Sequence, residues 1–275
     1  MGLKTEILTK NLTDNQIGIF YLGQVGFLLK YRGKYILIDG YLSDYVDRNC
    51  CSDLVQWVRR YPSPVKAEEL DFVDYVFCTH AHYDHADPDT LSVLARINEK
   101  TKFVVPQSIV SVISGYGIPG DRILGVCTDK EYAADEEPFS FTAIPSAHET
   151  LHPDGNGGYE EVGYHFRFGD VTLYHSGDCC MYEGLTEQIM DTDILMLPIN
   201  GRDYYRNRRD IIGCFDSVEA LTLAKESHCQ MLIPTHFDLY DVNAVNPAYF
   251  VDCQQRINPK QRYHIFMPGE GYVYG

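Results

Sequence analysis

Residues 79–85 read T-H-A-H-Y-D-H and follow directly on the apolar run 73–78. Four side chains that can bind a metal ion fall within six positions of this stretch: His80, His82, Asp84 and His85. Each of them would need a polar partner of its own if it were buried in a protein core. Because shared divalent cations would satisfy all four together, the stretch predicts a metal centre.

The spacing within this stretch favours two metal ions over one. Alternate residues of an extended chain point to the same side, so His80 and His82 are predicted to face one position. The chain then turns, which lets Asp84 and His85 face a second position beside the first. Adjacent ligand sets are what a dinuclear site needs, with ions about 3.5–4 Å apart. A single structural zinc ion would need only four ligands closed to water.

Three later segments each place a possible ligand just after a predicted strand. They contribute His148, Asp178 and His236. Strand ends of one orientation collect at one edge of an α/β sheet, so these side chains are expected near residues 80–85. Asp39 also follows a predicted strand, and we expect it to orient a ligand or a bound water from behind. His175 is interpreted either as a residue of the core or in the same orienting role.

Composition excludes several classes of protein. The 275 residues carry a net charge of −16 and are 45% hydrophobic, which argues against nucleic-acid or anionic-membrane partners and against a disordered chain. The first ten residues lack the apolar core of a signal peptide, and no apolar run reaches the roughly 18 residues of a membrane span. Nine cysteines without a C-x-x-C pattern fit reduced thiols. A cytoplasmic protein is expected.

No repeat or low-complexity linker divides the chain, so residues 1–275 are interpreted as a single α/β domain. Strands are predicted at 17–22, 25–31, 35–38, 73–78, 103–105, 139–144, 161–168, 171–175, 194–197, 231–233 and 263–266, and helices at 88–98, 217–225 and 247–256. The Arg32-Gly33 pair predicts a hairpin turn between two of the strands. The long connections 41–67 and 147–160 are typical of lids or site walls.

With these motifs in order, the chain resembles the metallo-β-lactamase superfamily over nearly its whole length. The resemblance implies a four-layer αβ/βα sandwich. It also implies a ligand set for each of two metal ions, with one carboxylate between them: His80, His82 and His148 for the first ion, Asp84, His85 and His236 for the second, and Asp178 as the bridge. Asp39 matches the first motif of the superfamily.

Four stretches are further similar to the L-ascorbate-6-phosphate lactonase group within that superfamily. They are YLG-x-VGF at 21–27, YHSGD at 174–178, LPINGRD at 197–203 and IPTHFD at 233–238. This second resemblance implies that the substrate is a small phosphorylated sugar lactone, and it favours Mn²⁺ among the candidate metals. The mixed His and Asp ligands suit Zn²⁺ and Fe²⁺ as well.

A basic segment at 202–209 carries four arginines in an otherwise acidic chain. Arginine has a planar fork that suits phosphate oxygens, so Arg202 is a predicted substrate-binding residue. The resemblance of the stretch 197–203 to the lactonase group implies Asn200 as the second. The alternative is a solvated segment whose arginines pair with Asp203 and Asp210.

The predicted reaction is hydrolysis by a metal-bound hydroxide, with Asp84 or Asp178 relaying the proton as the catalytic carboxylate. The first alternative is a phosphodiesterase of the same superfamily. A redox di-iron enzyme and a non-catalytic metal-binding protein are weaker alternatives, because His82 stands where the flavodiiron pattern has Glu and no ligand is missing. Whether the chain forms a homo-oligomer stays open.

Overall fold

The computed structural model describes residues 2–133 and 137–275, which form two seven-stranded sheets. The first sheet, in spatial order, consists of β14 (Gly271–Tyr274), β1 (Ile17–Gly23), β2 (Gly26–Tyr31), β3 (Lys34–Ile38), β4 (Tyr75–Phe77), β5 (Lys102–Pro106) and β6 (Ile123–Val126). The second consists of β13 (Arg262–Tyr263), β12 (Met231–Thr235), β11 (Ile194–Pro198), β10 (Val171–His175), β9 (Val162–Phe168), β8 (Ser140–Pro145) and β7 (Glu131–Ala133).

Each sheet has an antiparallel half and a parallel half. Strands β1 to β3 form the predicted hairpin meander, and Arg32 and Gly33 both have positive φ, +42° and +80°, as a two-residue hairpin turn requires. From β3 to β6 the neighbours run parallel, and so do those from β10 to β13. The parallel strands end at the same edge, and β8, which is antiparallel to β9 and so runs in the direction of β10, ends there too. The metal-ligand candidates follow these strand ends.

Helices cover the outer faces of the two sheets, which confirms the four-layer α/β sandwich. The helices are α1 (Leu3–Thr9), α2 (Tyr45–Asn49), α3 (Pro88–Ile97), α4 (Val110–Gly115), α5 (Leu185–Gln188), α6 (Tyr204–Asn207), α7 (Ser217–Glu226) and α8 (Pro247–Ile257). One apolar cluster fills the space between the sheets, a second joins the first sheet to α3 and α4, and a third joins the second sheet to α7 and α8. The helices predicted at 88–98, 217–225 and 247–256 are therefore confirmed.

The strand expected at 263–266 is shorter than predicted. β13 ends at Tyr263, although the His264 amide still donates to the Leu232 carbonyl at 3.1 Å. Phe266 then leaves the sheet edge and packs between the sheets, where its ring centre lies 6.0 Å from that of Tyr21 and 5.7 Å from that of Phe27. Burial of this ring in the central core accounts for the early end of the strand.

The long connection 41–67 lies against the segment that follows β12, where Arg59 forms an isolated antiparallel bridge with Tyr240. Tyr240 donates from its hydroxyl to the Asp47 carboxylate at 2.8 Å and contacts the Tyr41 hydroxyl at 2.9 Å. These contacts hold the connection in a fixed position against the rest of the protein. Among residues 2–133 and 137–275, no helix combines the length and apolar character needed to cross a membrane.

Candidate metal centre

The ligand-rich stretch leaves β4 at the sheet edge and folds back into a tight turn before α3. The amides of His85 and Ala86 both donate to the His82 carbonyl, at 2.9 and 2.7 Å. Asp87 caps α3 by accepting from the Asp89 amide at 3.1 Å. The turn and the cap hold the stretch so that its side chains face the second sheet.

A first cluster of possible ligands consists of His80, His82 and His148, whose nitrogen atoms lie within 4.8 Å of one another. His80 and His148 are buried, whereas His82 is exposed to the cavity described below. Burial lowers the pKa of His148 to about 4. This histidine is therefore neutral at physiological pH, which is the form that binds metal ions.

A second cluster consists of Asp84, His85 and His236, whose ligand atoms also lie within 4.8 Å of one another. His236 Nε2 is 3.5 Å from Asp84 Oδ2, and His85 Nε2 is 3.8 Å from the same oxygen. Burial alone would lower the pKa of His236, but Asp178 and Asp84 outweigh it and raise the pKa to about 9. Because the first cluster contains only histidines, the Asp84 carboxylate makes the second cluster the more negative of the two.

Asp178 lies between the clusters and contacts both. Its Oδ2 is 3.5 Å from His148 Nε2 and 3.4 Å from His236 Nε2, and its Oδ1 is 3.4 Å from His85 Nε2. The structure therefore brings together all seven residues that the sequence predicts as metal ligands.

The donor atoms of these residues fit a metal. His80 Nε2, His85 Nε2 and Asp178 Oδ1 are buried and have no hydrogen-bond partner among the described residues. These three side chains also lie within 4.8 Å of one another through their ligand atoms. Unpartnered buried polar atoms cost free energy, and divalent cations bound between them would remove that cost. The His and Asp clusters are thus able to bind metal ions.

Asp39 fixes the orientation of two of these histidines, His85 directly and His80 through Thr79. Asp39 accepts from the Thr79 amide at 2.8 Å, from the Thr79 hydroxyl at 2.7 Å and from His85 Nδ1 at 2.8 Å. Since the Thr79 hydroxyl donates to Asp39, it accepts from His80 Nδ1 at 3.0 Å. Both rings then carry their proton on Nδ1 and turn an Nε2 lone pair toward the cluster.

His175 lies beside the centre but takes no part in either cluster. Its Nε2 donates to the Val25 carbonyl at 2.9 Å, and its Nδ1 accepts from the Gly177 amide at 3.2 Å. Gly177 has φ +60°, and a Cβ there would lie 2.7 Å from Thr79 atoms. His175 therefore holds the glycine turn that precedes Asp178.

A cavity of about 210 Å³ opens over the clusters. Its floor carries five of the predicted ligands: His82, Asp84, His148, Asp178 and His236. The other lining residues are mostly apolar or aromatic: Val46, Cys50, Trp57, Tyr83, Asp210, Ile211, Ile212, Tyr240 and Asn243. The Trp57 ring stands edge-on to Tyr240, with ring centres 5.2 Å apart. Connection 41–67 thus supplies one wall of the cavity, in agreement with the prediction of a site wall.

Comparison with known proteins agrees with this geometry. The model of the β-lactamase superfamily domain matches residues 35–237, which include Asp39 and all seven clustered residues. The chain belongs to the metallo-β-lactamase superfamily.

Relatives and solved structures extend the match over most of the chain. An uncharacterized protein of Mycobacterium tuberculosis is 26% identical over 82% of this chain, which spans only 60% of that relative's length. A metal-dependent hydrolase of Metallosphaera sedula is 25% identical over 85% of this chain and 89% of its own. The isothiocyanate hydrolase from Delia radicum gut bacteria superposes with a TM-score of 0.74, covering 94% of this chain and 99% of its own, at 18% identity. The last likeness concerns the fold alone.

The two residues predicted to bind substrate are not among the described residues that line this cavity. Asn200 is buried behind the wall and donates to Asn243 Oδ1 at 3.1 Å. Arg202 donates to the Cys180 sulfur at 2.8 Å and to the Cys214 carbonyl at 2.9 Å, and it pairs with Glu219. Their role in substrate binding stays a prediction that no contact in the cavity supports.

Sequence reasoning missed three residues near the centre. Trp57 and Tyr240 were not assigned to the cavity, because the bridge that joins their segments spans about 180 residues of sequence. Gln24 was missed because a glutamine in a short turn belongs to no metal-ligand motif. Its flanking glycines, Gly23 and Gly26, were the one available signal of a tight turn.

Proposed function

We propose that this chain is a dinuclear hydrolase that acts on a small, uncharged carbonyl compound of the lactone or ester type. The observation that carries the proposal is the position of Asp178, which contacts both ligand clusters at the floor of one cavity. His80, His82 and His148 would hold one ion, and Asp84, His85 and His236 the other. Asp178 would touch both ions, which is the arrangement of a two-metal site.

Metal ions held there would supply Lewis acidity and lower the pKa of a water molecule. The residues of the chain do the rest. Asp39 and Thr79 keep the histidine rings oriented, so that the ligand nitrogens are ready before substrate arrives. Asp84 is one-fifth exposed at the cavity floor, where its carboxylate would relay the proton of the attacking water. Burial raises the pKa of Asp84, but His85 and His236 outweigh it and lower the pKa, so the carboxylate would pass the proton on rather than keep it.

The walls of the cavity support the substrate class. Val46, Trp57, Ile211 and Ile212 offer apolar surface, and among the described lining residues there is no lysine or arginine. Asp210 adds a carboxylate to the lining, which would repel an anion. These features favour a neutral carbonyl substrate. The lactone part of the resemblance to L-ascorbate-6-phosphate lactonases is kept in the proposal, but its phosphate would find no lysine or arginine among the described lining residues.

A phosphodiesterase is the second candidate, because a two-metal centre can also hydrolyse phosphate diesters. The same lining argues against it. A diester anion would meet Asp210 and aromatic rings, with only the metal ions to offset its charge.

An assay of three substrates tests the proposal. Metal-stripped protein is reloaded with Zn²⁺, Mn²⁺ or Fe²⁺ and given an uncharged γ-lactone, a phosphorylated sugar lactone and bis-p-nitrophenyl phosphate. We expect the highest kcat/KM with the uncharged lactone and about two ions per chain at full activity. Activity restricted to the phosphorylated lactone or to the diester would contradict the substrate class. Full activity with one ion per chain would contradict the dinuclear centre.

The proposal also includes the size of the substrate, the cellular location and the identity of the metal. A small-molecule substrate is supported by the cavity volume of about 210 Å³, which is below the range of drug-sized pockets. A reducing, cytoplasmic location is supported by the nine cysteines, all of which are free thiols. The choice among Zn²⁺, Mn²⁺ and Fe²⁺ is left to the reconstitution experiment.

A further inference from the structure

The turn between β1 and β2, residues 23–26, joins the first sheet to the ends of two strands of the second sheet. The Gln24 carbonyl accepts from the His236 amide at 2.7 Å, and the Val25 carbonyl accepts from His175 Nε2 at 2.9 Å. One short turn therefore contacts the segments that carry His236 and Asp178.

Gln24 has an unusual conformation for its position. It is only 3% exposed, and its φ is +59°, in the left-handed region that glutamine rarely adopts. Its carbonyl also accepts from the Tyr21 hydroxyl at 3.1 Å, and that hydroxyl contacts Asp238 at 2.9 Å. Strained residues of this kind persist where surrounding contacts hold them in place, and they concentrate at functional sites.

The side chain of Gln24 reaches only one of the two ligand clusters. Its Nε2 donates to Asp84 Oδ2 at 2.9 Å and lies 3.1 Å from His236 Nε2. Both partners belong to the second cluster, and among the described residues Gln24 makes no side-chain hydrogen bond to the first. A carboxylate oxygen has two lone pairs, so Asp84 Oδ2 can accept from Gln24 and still bind a metal ion.

We propose that Gln24 is a positioning residue that sets the metal affinity of the Asp84–His85–His236 cluster separately from that of the His80–His82–His148 cluster. It acts through two hydrogen bonds. Its side-chain amide donates to Asp84, and its backbone carbonyl accepts from the His236 amide. Partners that orient metal ligands in this way change metal affinity by about 10–100-fold when they are removed. The inference rests on the two-metal centre of the proposed function.

The test is a metal titration of the metal-stripped protein with Co²⁺ and Zn²⁺, in which the two equivalents are resolved by calorimetry and by the Co²⁺ absorption spectrum. Gln24→Asn is the main variant. Asparagine tolerates the left-handed backbone, but its amide is one methylene too short to reach Asp84. Gln24→Ala removes the amide altogether. Gln261→Ala is the control, because Gln261 is a buried glutamine whose amide donates to the Cys229 carbonyl at 3.2 Å, away from both clusters.

We expect both Gln24 variants to bind one equivalent with wild-type affinity and the other about 10–100-fold more weakly. Gln261→Ala should bind both equivalents as the wild type does. Unchanged binding of both equivalents in Gln24→Asn and Gln24→Ala would overturn the inference, and so would equal weakening of both. The melting temperature of the metal-free variants is measured alongside, so that a loss of folding is separated from a loss of one metal position.

The outcomes also separate this inference from the proposed function. If the wild type binds fewer than two ions, the dinuclear centre fails and the inference fails with it. If the wild type binds two ions and the Gln24 variants do as well, with the same affinities, only the inference fails.

Discussion

The ligand stretch 79–85 and the arginine segment 202–209 both stand out in the sequence, yet the structure uses them in opposite ways. The ligand stretch leaves buried atoms without hydrogen-bond partners among the residues that the structure describes, and His80 Nε2 and His85 Nε2 are two of them. In the arginine segment, Arg202 already pairs with Glu219, and Arg206 pairs with Asp203 and donates to Asn243 Oδ1 at 2.9 Å. Arg209 stacks on the Tyr205 ring, 3.7 Å from its centre.

This difference shows how a functional cluster can be told from a structural one. Side chains that already have partners within the protein stabilise the fold, and binding a ligand would require breaking those contacts. Side chains that converge without partners need a ligand to complete them. Four variants test this contrast.

The largest effect is expected for Asp178→Asn. The variant keeps the shape of the side chain but removes the charge that both clusters share. We expect a loss of at least about 1,000-fold in kcat/KM, equivalent to about 4 kcal/mol, together with less than two ions per chain by elemental analysis. Asp193→Asn is the control, because Asp193 accepts from the Thr172 amide at 2.8 Å and contacts no predicted ligand. Wild-type activity in Asp178→Asn would show that the shared Asp178 carboxylate is not needed for the reaction.

Asp39→Asn should have the next largest effect. The amide can no longer accept from Thr79 and His85 in the same pattern, so the ring of His85 loses its fixed orientation. A decrease of about 10–100-fold in metal affinity is expected from the loss of such an orienting carboxylate. Isothermal titration of the metal-stripped protein measures it. An affinity equal to that of the wild type would mean that Asp39 acts on the fold alone.

Trp57→Ala tests the cavity wall. Loss of the ring should raise KM for an uncharged lactone by about tenfold, which is about 1.4 kcal/mol, with a smaller change in kcat. Trp57→Phe should recover most of the loss. Trp57 is the only tryptophan of the chain, so quenching of its fluorescence reports substrate binding in the wild type directly. A substrate that binds without changing this fluorescence would place the binding region elsewhere.

Arg202→Ala should have the smallest effect. Because Arg202 is held by Glu219, Cys180 and Cys214, its removal is expected to lower the free energy of unfolding by about 1 kcal/mol and to leave KM unchanged. Urea unfolding and steady-state kinetics measure the two quantities. A rise in KM confined to phosphorylated substrates would restore the role predicted from sequence. Arg208→Ala serves as the matched surface control.

Much of the fold could be predicted because its signals are local. The Arg32-Gly33 turn, the Asp87 cap and the apolar faces of α7 and α8 each lie within a few residues of sequence. β14 was not predicted, since it pairs with β1 across almost the whole chain, Tyr274 opposite Ile17. Such a pairing leaves no local pattern to recognise.

The sequence by itself determined which atoms could bind metal, because four ligand side chains within six residues could hardly be buried together without a shared cation. It also indicated the sheet edge at which His148, Asp178 and His236 would meet. Only the tertiary structure decided what surrounds them. Gln24, Trp57 and Tyr240 reach the centre through contacts between segments that are far apart in sequence. The partners that hold Arg202 away from the cavity are likewise set by packing, which no spacing of residues encodes.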